Sequence, residues 1–307
     1  MYDLIIVGGG PAGASAAVYA ARKRLKTALI VDEWGGQSSV SADVQNWIGT
    51  KSISGTDLAK SLKEHAEAHA GDCLEILSPS RAESLEASDD SVTITLKGGT
   101  KIEGKTLLVA SGARRRKLEV PGAAEFDQKG LTYCATCDGP LYADKDVVVI
   151  GGGNAGFETA LQLLAYCKSV TLLNRGETFR ADEITVNAAK AHPNMRVIPN
   201  AEPIQILGEQ FVTGVKWKDA KTGKEEILPV EGVFVEIGLL PNTEWIGDVI
   251  EKSAIGQIKV DSRLQRTSHP RIWAAGDVTD APYHQNNIAA GDAVKALEDI
   301  YVSLRRQ

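Results

Sequence analysis

The sequence predicts an α/β protein built from two copies of one strand–loop–helix–strand unit, with the second domain inserted into the first. Glycine-rich loops at residues 8–13 and 151–156 each follow a short β-branched run and precede a helical pattern. Strands also alternate with helices along the chain, which is typical of parallel sheets with helices on both faces. Together these two observations predict the fold class.

Composition limits the possible functions. The 307 residues suffice for two domains, and 43% hydrophobic with 24% charged residues is typical of a globular protein. A net charge of −6 argues against nucleic acid or an anionic membrane as the main partner. No signal peptide is visible and no apolar stretch approaches the ~20 residues that span a bilayer. We therefore expect a cytoplasmic protein, where four cysteines do not form a secreted disulfide framework.

The two copies have matching predicted elements. They are strand 3–7, helix 12–24 and strand 27–31 in the first copy, and strand 147–150, helix 154–165 and strand 170–173 in the second. Between the copies, residues 91–96 alternate like a strand with one wet face, and residues 106–110 predict another buried strand. Linkers are expected at 113–122 and 238–245, so that the chain crosses between the domains twice.

The first glycine loop predicts a dinucleotide site. Gly8 makes the turn, Gly10 leaves room for phosphates and Gly13 lets the helix pack closely on the strand. Backbone N–H groups and the helix dipole then favour a pyrophosphate. Asp32, at the end of the next predicted strand, supplies the acid for ribose hydroxyls. A tight structural turn is the alternative interpretation.

A segment near the C-terminus points to a flavin in this first site. The apolar run 271–275 ends in Gly276 and Asp277, and that aspartate is expected where the phosphates and ribityl chain of FAD run. Capping of a helix is the alternative role for Asp277. We therefore predict FAD as the first cofactor.

The second loop predicts a nicotinamide site. The glycine spacing recurs at Gly151, Gly153 and Gly156. Asn174 stands where an NAD site would have an acid, and Arg175 and Arg180 follow. Guanidinium groups favour a 2′-phosphate, so the sequence favours NADPH, with NADH still possible. Solvated surface ion pairs are the alternative role for the two arginines.

A cysteine pair lies between the two loops. Cys134 and Cys137 have the spacing of a redox-active disulfide, and Asp138 directly after them can donate a proton. A zinc site needs about four ligands, whereas Cys73 and Cys167 are isolated, so we expect no metal. Asp138 alternatively stabilises a turn.

These features together predict an electron relay from a nicotinamide through FAD to the disulfide. The FAD-binding domain is expected to join residues 1–114 with 244–307, and the NAD(P)H-binding domain, residues 115–243, carries the cysteines. Because both donor pocket and disulfide lie on the inserted domain and must reach one flavin, we expect the linkers to act as hinges.

Over nearly its whole length the chain resembles the low-molecular-weight thioredoxin reductase family. The resemblance rests on residues 8–13, Gly35-Gly36-Gln37, Asn46-Trp47-Ile48-Gly49, Ser111-Gly112-Ala113, 134–140, 151–156, 274–277 and Tyr283-His284-Gln285. It implies a homodimer of two Rossmann-like domains per chain and a thioredoxin-like or glutaredoxin-like partner protein. It also implies that Cys137 lies next to the flavin, that Cys134 attacks the partner disulfide, and that Asp138 is the general acid. The further cofactor-binding residues it implies are Gln37, Asn46, Gly112, His284 and Gln285.

The chain departs from that family at three places. The usual His-Arg-Arg-x-x-x-Arg signature for NADPH keeps two of its three arginines here and has Asn174 in place of histidine. Residues 140–142 and 238–243 look more like the flavoprotein subunit of alkyl hydroperoxide reductase, a relative that usually takes NADH. His284 stands where the family usually has arginine or lysine.

Other functions remain open at this point. A thiol oxidase would pass electrons from a dithiol through the flavin to oxygen, and a ferredoxin-fed reductase would need no nicotinamide. The retained Arg175 and Arg180 argue against both. An NADH-dependent reductase of a peroxiredoxin system is a further alternative. A flavin-binding sensor without enzymatic activity is disfavoured by Cys134 and Cys137.

Overall fold

The computed structural model describes residues 1–41, 44, 46–133 and 135–306, and of residues 40, 136 and 137 it describes the backbone alone. The chain divides into two compact units. Unit 1 comprises Met1–Arg114 and Leu240–Gln307, and unit 2 comprises Arg115–Leu239.

The strands are numbered in chain order. They are β1 (Tyr2–Gly9), β2 (Thr27–Trp34), β3 (Leu74–Leu77), β4 (Ala82–Ala87), β5 (Val92–Leu96), β6 (Lys101–Val109), β7 (Ala113–Arg115), β8 (Leu131–Thr132), β9 (Asp146–Ile150), β10 (Ser169–Asn174), β11 (Met195–Pro199), β12 (Ala201–Gly208), β13 (Val212–Asp219), β14 (Glu225–Pro229), β15 (Gly232–Val235), β16 (Leu239–Pro241) and β17 (Ile272–Ala274). The α-helices are α1 (Pro11–Arg22), α2 (Gly55–Glu67), α3 (Ala135–Asp138), α4 (Asn154–Leu163), α5 (Glu183–Lys190) and α6 (Asn286–Arg305). Short 3-10 turns lie at Gly36–Val40, Gly139–Tyr142 and Glu244–Ile246.

Unit 1 is built on a seven-stranded mixed sheet. Its order is β3-β2-β1-β6-β5-β4, with β17 also paired to β6. β1 pairs in parallel with both β2 and β6, whereas β4, β5 and the start of β6 are antiparallel. Successive side chains of β1 point to opposite faces. Leu4 and Ile6 pack with α1 and α6, and Ile5 and Val7 pack with β4, β5 and the segment around Ile258.

Unit 2 is built on a five-stranded parallel sheet of order β11-β10-β9-β15-β8. Val147 and Val149 of β9 pack with Phe157 and other side chains of α4. Val148 and Ile150 point to the other face and pack against the antiparallel sheet of β12, β13 and β14. Both faces of the β9 strand are therefore buried.

The predicted α/β fold class is confirmed, but the expectation of helices on both faces is wrong. Among the residues that the structure describes, helices cover only one face of each sheet. In unit 2 the crossover from β11 to β15 runs through the antiparallel strands β12 to β14, which take the place of a helix. In unit 1 the return from β3 to β6 likewise runs through β4 and β5.

The chain passes between the units at β7 and β16, and these two strands pair with each other. The Asn242 amide donates to the Gly112 carbonyl, and the Arg116 amide donates to the Gly238 carbonyl. In the described part of the chain, no helix combines the length and the apolar character needed to cross a bilayer.

Candidate functional site

The first glycine loop is shaped by contacts that exclude side chains. Gly8 has φ +130°, and a Cβ there would lie 2.1 Å from the Ala110 carbonyl oxygen. A Cβ on Gly13 would lie 1.8 Å from the Gly8 carbonyl oxygen, so α1 packs directly on the end of β1. No side chain caps the first turn of α1, which begins with a proline after Gly10. The N-terminal amides of α1 are thus available to an anion.

A space without side chains lies beside this turn. Gly10 faces Gly36, which has φ +58°. A Cβ on Gly36 would lie 3.5 Å from the Gly10 Cα, and a Cβ on Gly10 would lie 3.8 Å from the Gly36 Cα. Any side chain at either position would fill the space. It has the form of a cradle in which backbone approaches a pyrophosphate closely.

The C-terminal Gly-Asp segment joins this cradle. Gly276, with φ +78°, packs so closely that its Cβ would lie 3.4 Å from the Cβ of Ala12 in α1. The next residue, Asp277, accepts a 3.3 Å hydrogen bond from Gln37 Nε2. Burial raises the pKa of Asp277, and the nearby His284 and the Gln37 hydrogen bond oppose the rise. A half-buried carboxyl with one weak donor fits hydroxyl donors such as those of a ribityl chain.

Two more of the residues implied by the family resemblance meet at the start of α6. Asn46 Nδ2 donates to Gln285 Oε1 at 3.0 Å. Nε2 of His284 lies 3.0 Å from the Ala281 carbonyl oxygen, and its Nδ1 is buried with no partner among the residues described. An orphaned ring nitrogen beside Asp277 and Gln285 is a further polar group that a bound cofactor can satisfy. The residues present therefore fit FAD.

Two other predicted cofactor-binding residues, Asp32 and Gly112, are not part of the contacts described so far. β2 continues past Asp32 to Trp34, so Asp32 is not the last residue of its strand, and its exposed carboxylate lies 3.4 Å from Arg81. Gly112 has φ +64° and an open surrounding, with no atom within 4 Å of its would-be Cβ.

The second glycine loop repeats the interlocked geometry of the first. Gly151 has φ +133°, and its Cβ would lie 2.1 Å from the Glu236 carbonyl oxygen. A Cβ on Gly156 would lie 2.0 Å from the Gly151 carbonyl oxygen, and Gly153 has no atom within 4 Å of its would-be Cβ. The first turn of α4 also lacks a side-chain cap. The loop in unit 2 thus has the same tight turn, open position and close helix contact.

The end of β10 presents cations beside this loop. Asn174 is buried, and its Nδ2 donates to two carbonyls of the 176–178 turn at 2.8 and 3.0 Å. The Arg180 amide donates to the Gly152 carbonyl at 2.9 Å, which ties Arg180 to the glycine loop. Arg175 and Arg180 are exposed, and neither guanidinium forms an ion pair within the described chain.

The redox segment is described in part. Cys134 and the side chain of Cys137 lie outside the described residues, so their predicted disulfide does too. Asp138 ends α3, and its carboxylate accepts a hydrogen bond from the Thr132 hydroxyl. Elsewhere, burial raises the pKa of the free thiol of Cys167 to about 11, so that thiol stays protonated at neutral pH.

Comparison with known proteins identifies the family. The profile of the family described as pyridine nucleotide-disulphide oxidoreductase matches residues 2–295. The chain belongs to this family. Its fold is similar to thioredoxin reductase from Lactococcus lactis, with TM-score 0.81 and 32% identity over 100% of both chains. It is also similar to thioredoxin reductase from T. acidophilum, with TM-score 0.78 and 36% identity over 98% of each chain.

Curated relatives carry other names. The chain is 40% identical over 295 residues to the F subunit of alkyl hydroperoxide reductase of Staphylococcus aureus, and 41% identical over 295 residues to a protein named NADH dehydrogenase of Bacillus subtilis. Each match covers 96% of this chain and 57% of the relative. The chain therefore spans just over half the length of these relatives. The resemblance to low-molecular-weight thioredoxin reductases, with alkyl hydroperoxide reductase features, is confirmed.

Sequence reasoning missed one group in this member of the family. Glu236 directly follows β15, and its side chain is 14% exposed. Its Oε1 accepts hydrogen bonds from Arg115 at 3.2 Å and from the Thr159 hydroxyl of α4 at 3.1 Å. From the sequence, Glu236 is only an acid that follows a predicted strand. Its hydrogen-bond partners, Arg115 and Thr159, are distant in sequence, so the sequence does not show that they meet.

The partly buried carboxyl of Glu236 predicts a pH dependence of stability. Burial raises its pKa above the ordinary 4.5, opposed by Arg115 and Thr159 and reinforced by the charge of Glu158. A folded-state pKa above the unfolded one means that unfolding free energy is lost as pH rises through this range. Glutamine does not ionise, so Glu236→Gln should not lose stability in this way. The free energy of unfolding of the variant minus that of the wild type should therefore increase from about pH 4.5 upward and then level off.

Urea unfolding of both proteins at several pH values measures this difference. Glu231→Gln, which removes an exposed charge just before β15, is the control and should show no such trend. A constant difference between Glu236→Gln and the wild type across the range would contradict the prediction.

Proposed function

We propose that this protein is a flavin-dependent disulfide reductase that passes electrons from NAD(P)H through FAD and the Cys134–Cys137 disulfide to a thioredoxin-like protein. The observation that carries the proposal is the pair of interlocked glycine loops, 8–13 in unit 1 and 151–156 in unit 2. In this proposal residues 1–114 with 244–307 bind FAD, and residues 115–243 bind the nicotinamide and carry the cysteines.

FAD would be held by unit 1. The amides at the start of α1 and the cradle between Gly10 and Gly36 would bind its pyrophosphate, and Asp277 with Gln37 would accept and donate hydrogen bonds along its ribityl chain. His284 Nδ1, buried without a partner among the described residues, would gain one. When bound, FAD supplies two-electron transfer between a reduced nicotinamide and a disulfide.

The chemistry at the cysteines is thiol–disulfide exchange. Reduction of the Cys134–Cys137 disulfide takes up two electrons and two protons and gives two thiols. The Cys134 thiolate then attacks the disulfide of the partner, and Cys137 resolves the mixed disulfide, which leaves the partner reduced and the pair oxidised again. Asp138, held by the Thr132 hydroxyl, would donate the proton that a departing thiolate needs.

NADPH is the donor that the charges favour. Arg175 and Arg180 are exposed guanidinium groups beside the glycine loop, and Glu177 is neutralised by Lys221 at 2.6 Å. A 2′-phosphate would meet these cations there. The exposed carboxylate of Asp182, whose amide donates to Asn154 Oδ1 at 2.7 Å, has no ion pair in the described chain and opposes them. An NADH-dependent reductase of a peroxiredoxin system is the second candidate, supported by 40% identity to the F subunit of alkyl hydroperoxide reductase.

Removal of these arginines should change the nucleotide preference. We expect Arg175→Ala and Arg180→Ala each to weaken NADPH binding about ten-fold or more, because each loses a charge-assisted contact to the 2′-phosphate. NADH binding should change less than about two-fold, since NADH lacks that phosphate. Steady-state KM values for both donors measure the effect. Arg196→Ala, an exposed arginine on β11, is the control, and equal losses for both donors would contradict the prediction.

Anaerobic titration of the purified flavoprotein with NADPH and NADH tests the proposed function. Bleaching of the flavin band by either donor supports it, and the more effective donor identifies the nicotinamide. A flavin that both donors leave oxidised would overturn it. Bleaching by a dithiol alone, with peroxide formed on admission of air, would identify a thiol oxidase, and bleaching only by reduced ferredoxin would identify the ferredoxin-fed alternative.

The proposed partner is a small thioredoxin-like or glutaredoxin-like protein, and the proposed assembly is a homodimer in the cytoplasm. Sedimentation of the holoprotein measures the assembly, with a dimer expected. Steady-state turnover with a thioredoxin and with a glutaredoxin as the only disulfide substrate distinguishes the two partner classes.

A further inference from the structure

The order of strands in unit 2 decides where the two halves of a dinucleotide lie. From β9 the chain runs outward through β10 to β11, and then returns to β15 on the other side of β9. Ligands of open parallel sheets bind at the carboxyl ends of the strands where the order reverses, here between β9 and β15. The arginines after β10 lie on one side of this point. The nicotinamide half is therefore expected over the end of β15.

Glu236 is the first residue after β15 and borders this crevice. Its carbonyl oxygen would contact a Cβ on Gly151, so its backbone touches the glycine loop itself. Both hydrogen bonds to its carboxylate, from Arg115 and Thr159, end on Oε1. Oε2 accepts none from the residues whose placement the structure describes. The carboxylate is thus fixed in position with one acceptor oxygen unused.

The free oxygen offers a place for a ligand. Among the described residues, Oε2 of Glu236 is not one of the buried polar atoms that lack a partner, so it is open to a donor from outside the chain while Arg115 and Thr159 hold the carboxylate in position. The charged groups around it are Arg115 and Glu158, so within the described chain the unused oxygen faces no second cation. The nicotinamide ring offers a carboxamide NH₂ donor, and in its oxidised form a positive charge.

We propose that Glu236 binds the nicotinamide half of the dinucleotide, with Oε2 accepting a hydrogen bond from the carboxamide and the negative charge favouring the oxidised ring. The proposal rests on the proposed function, in which unit 2 binds NAD(P)H. Arg115 and Thr159 act as positioning residues that hold the carboxylate.

Calorimetric binding to the oxidised holoprotein tests the proposal. The probes are NADP⁺, the tetrahydro form of NADPH, whose ring is uncharged and unreactive, and 2′,5′-ADP, which lacks the nicotinamide. If NADH proves to be the donor, the matching probes are NAD⁺, tetrahydro-NADH and ADP. The variants are Glu236→Ala and the near-isosteric Glu236→Gln, with Glu231→Gln as the matched charge control.

We expect Glu236→Ala to weaken NADP⁺ binding about ten-fold or more and 2′,5′-ADP binding less than about two-fold. Glu236→Gln keeps an acceptor oxygen and loses the charge, so it should weaken NADP⁺ more than the tetrahydro form. Glu231→Gln should change neither. If Glu236 only stabilised the fold, its substitution would weaken the binding of all three probes alike.

Equal weakening of NADP⁺ and 2′,5′-ADP, or no weakening of NADP⁺ by either Glu236 variant, would overturn this proposal and leave the proposed function standing. If the wild type binds none of the probes, the proposed function fails and this proposal fails with it.

Discussion

Replacing both Cys134 and Cys137 by serine is expected to abolish reduction of a thioredoxin-like protein while the flavin is still reduced by the nicotinamide. The loss should be on the order of 10³-fold or more, as for removal of other covalent nucleophiles. Serine is nearly isosteric but cannot form a disulfide, so electrons reach FAD and stop there. The variant should be yellow and folded, with only the exchange step missing.

Reductive titration measures the loss of the disulfide as an electron acceptor, and it does not require that the thioredoxin-like partner be identified. Under anaerobic conditions the wild type should consume one equivalent of NAD(P)H for the flavin and a further one for the disulfide, whereas the double variant should consume only the first. Cys73→Ser is the matched control, because it removes a thiol from unit 1 and leaves the pair intact. Cys167 should not substitute for the pair, since its thiol, with a pKa of about 11, is not a nucleophile at neutral pH.

Normal turnover of the double variant with a thioredoxin-like substrate would contradict both this prediction and the proposed function. An undiminished uptake of reducing equivalents by the variant would instead show that the second acceptor is not this disulfide.

The sequence was sufficient to predict the elements around each glycine loop. The predicted strand 3–7 and helix 12–24 correspond to β1 and α1, and the predicted strand 147–150 corresponds to β9. A short apolar β-branched run predicts a buried strand, and the pattern after the glycines predicts a helix. A tight turn from strand to helix is the arrangement that fits both patterns. Local pattern therefore determined local structure.

What covers the second face of each sheet was not predictable in the same way. β12 shows no regular alternation of buried and exposed residues, and β14 alternates exposed with half-buried ones. Neither pattern indicates that these strands pack beneath β9 instead of extending its sheet. That choice depends on packing between segments distant in sequence. The hydrogen bonds to Glu236 were not predictable for the same reason. Glu236 and its partners Arg115 and Thr159 come from three separate segments that only the fold brings together.

Asn174 illustrates how a residue type can be read from the sequence while its environment cannot. The missing acid after β10 was evident and favoured NADPH. The amide's two hydrogen bonds to the 176–178 turn were not, since they depend on how the chain turns after the strand. Its contribution to the nicotinamide site, direct or through that turn, stays a prediction.

Substituting alanine for the last glycine of each loop is expected to remove one cofactor at a time. In Gly13→Ala the new Cβ would lie 1.8 Å from the Gly8 carbonyl oxygen, so α1 must move off β1. We expect a colourless or weakly yellow protein, destabilised by about 1–3 kcal/mol or more. In Gly156→Ala the same clash arises at 2.0 Å from the Gly151 carbonyl oxygen, but in unit 2. That variant should stay yellow and lose reduction by NAD(P)H.

Two further glycines separate a steric effect on the fold from an effect on the cofactor. Gly10→Ala meets nothing closer than 3.8 Å, so the apoprotein should keep its stability while the added methyl group fills the cradle and weakens FAD binding. Gly291→Ala lies within α6 with no atom within 4 Å, and it should retain FAD and gain up to about 1 kcal/mol from better helix propensity.

The measurements on all four variants are flavin absorbance per chain, thermal unfolding and anaerobic bleaching. Together they show which unit binds FAD. If Gly156→Ala lost its colour while Gly13→Ala kept it, the assignment of FAD to unit 1 would be reversed. If Gly10→Ala bound FAD as the wild type does, the space between Gly10 and Gly36 would not be the pyrophosphate cradle. Because the two loops share one geometry, an asymmetry between these matched substitutions would assign each cofactor to its own unit independently of the residues around the loops.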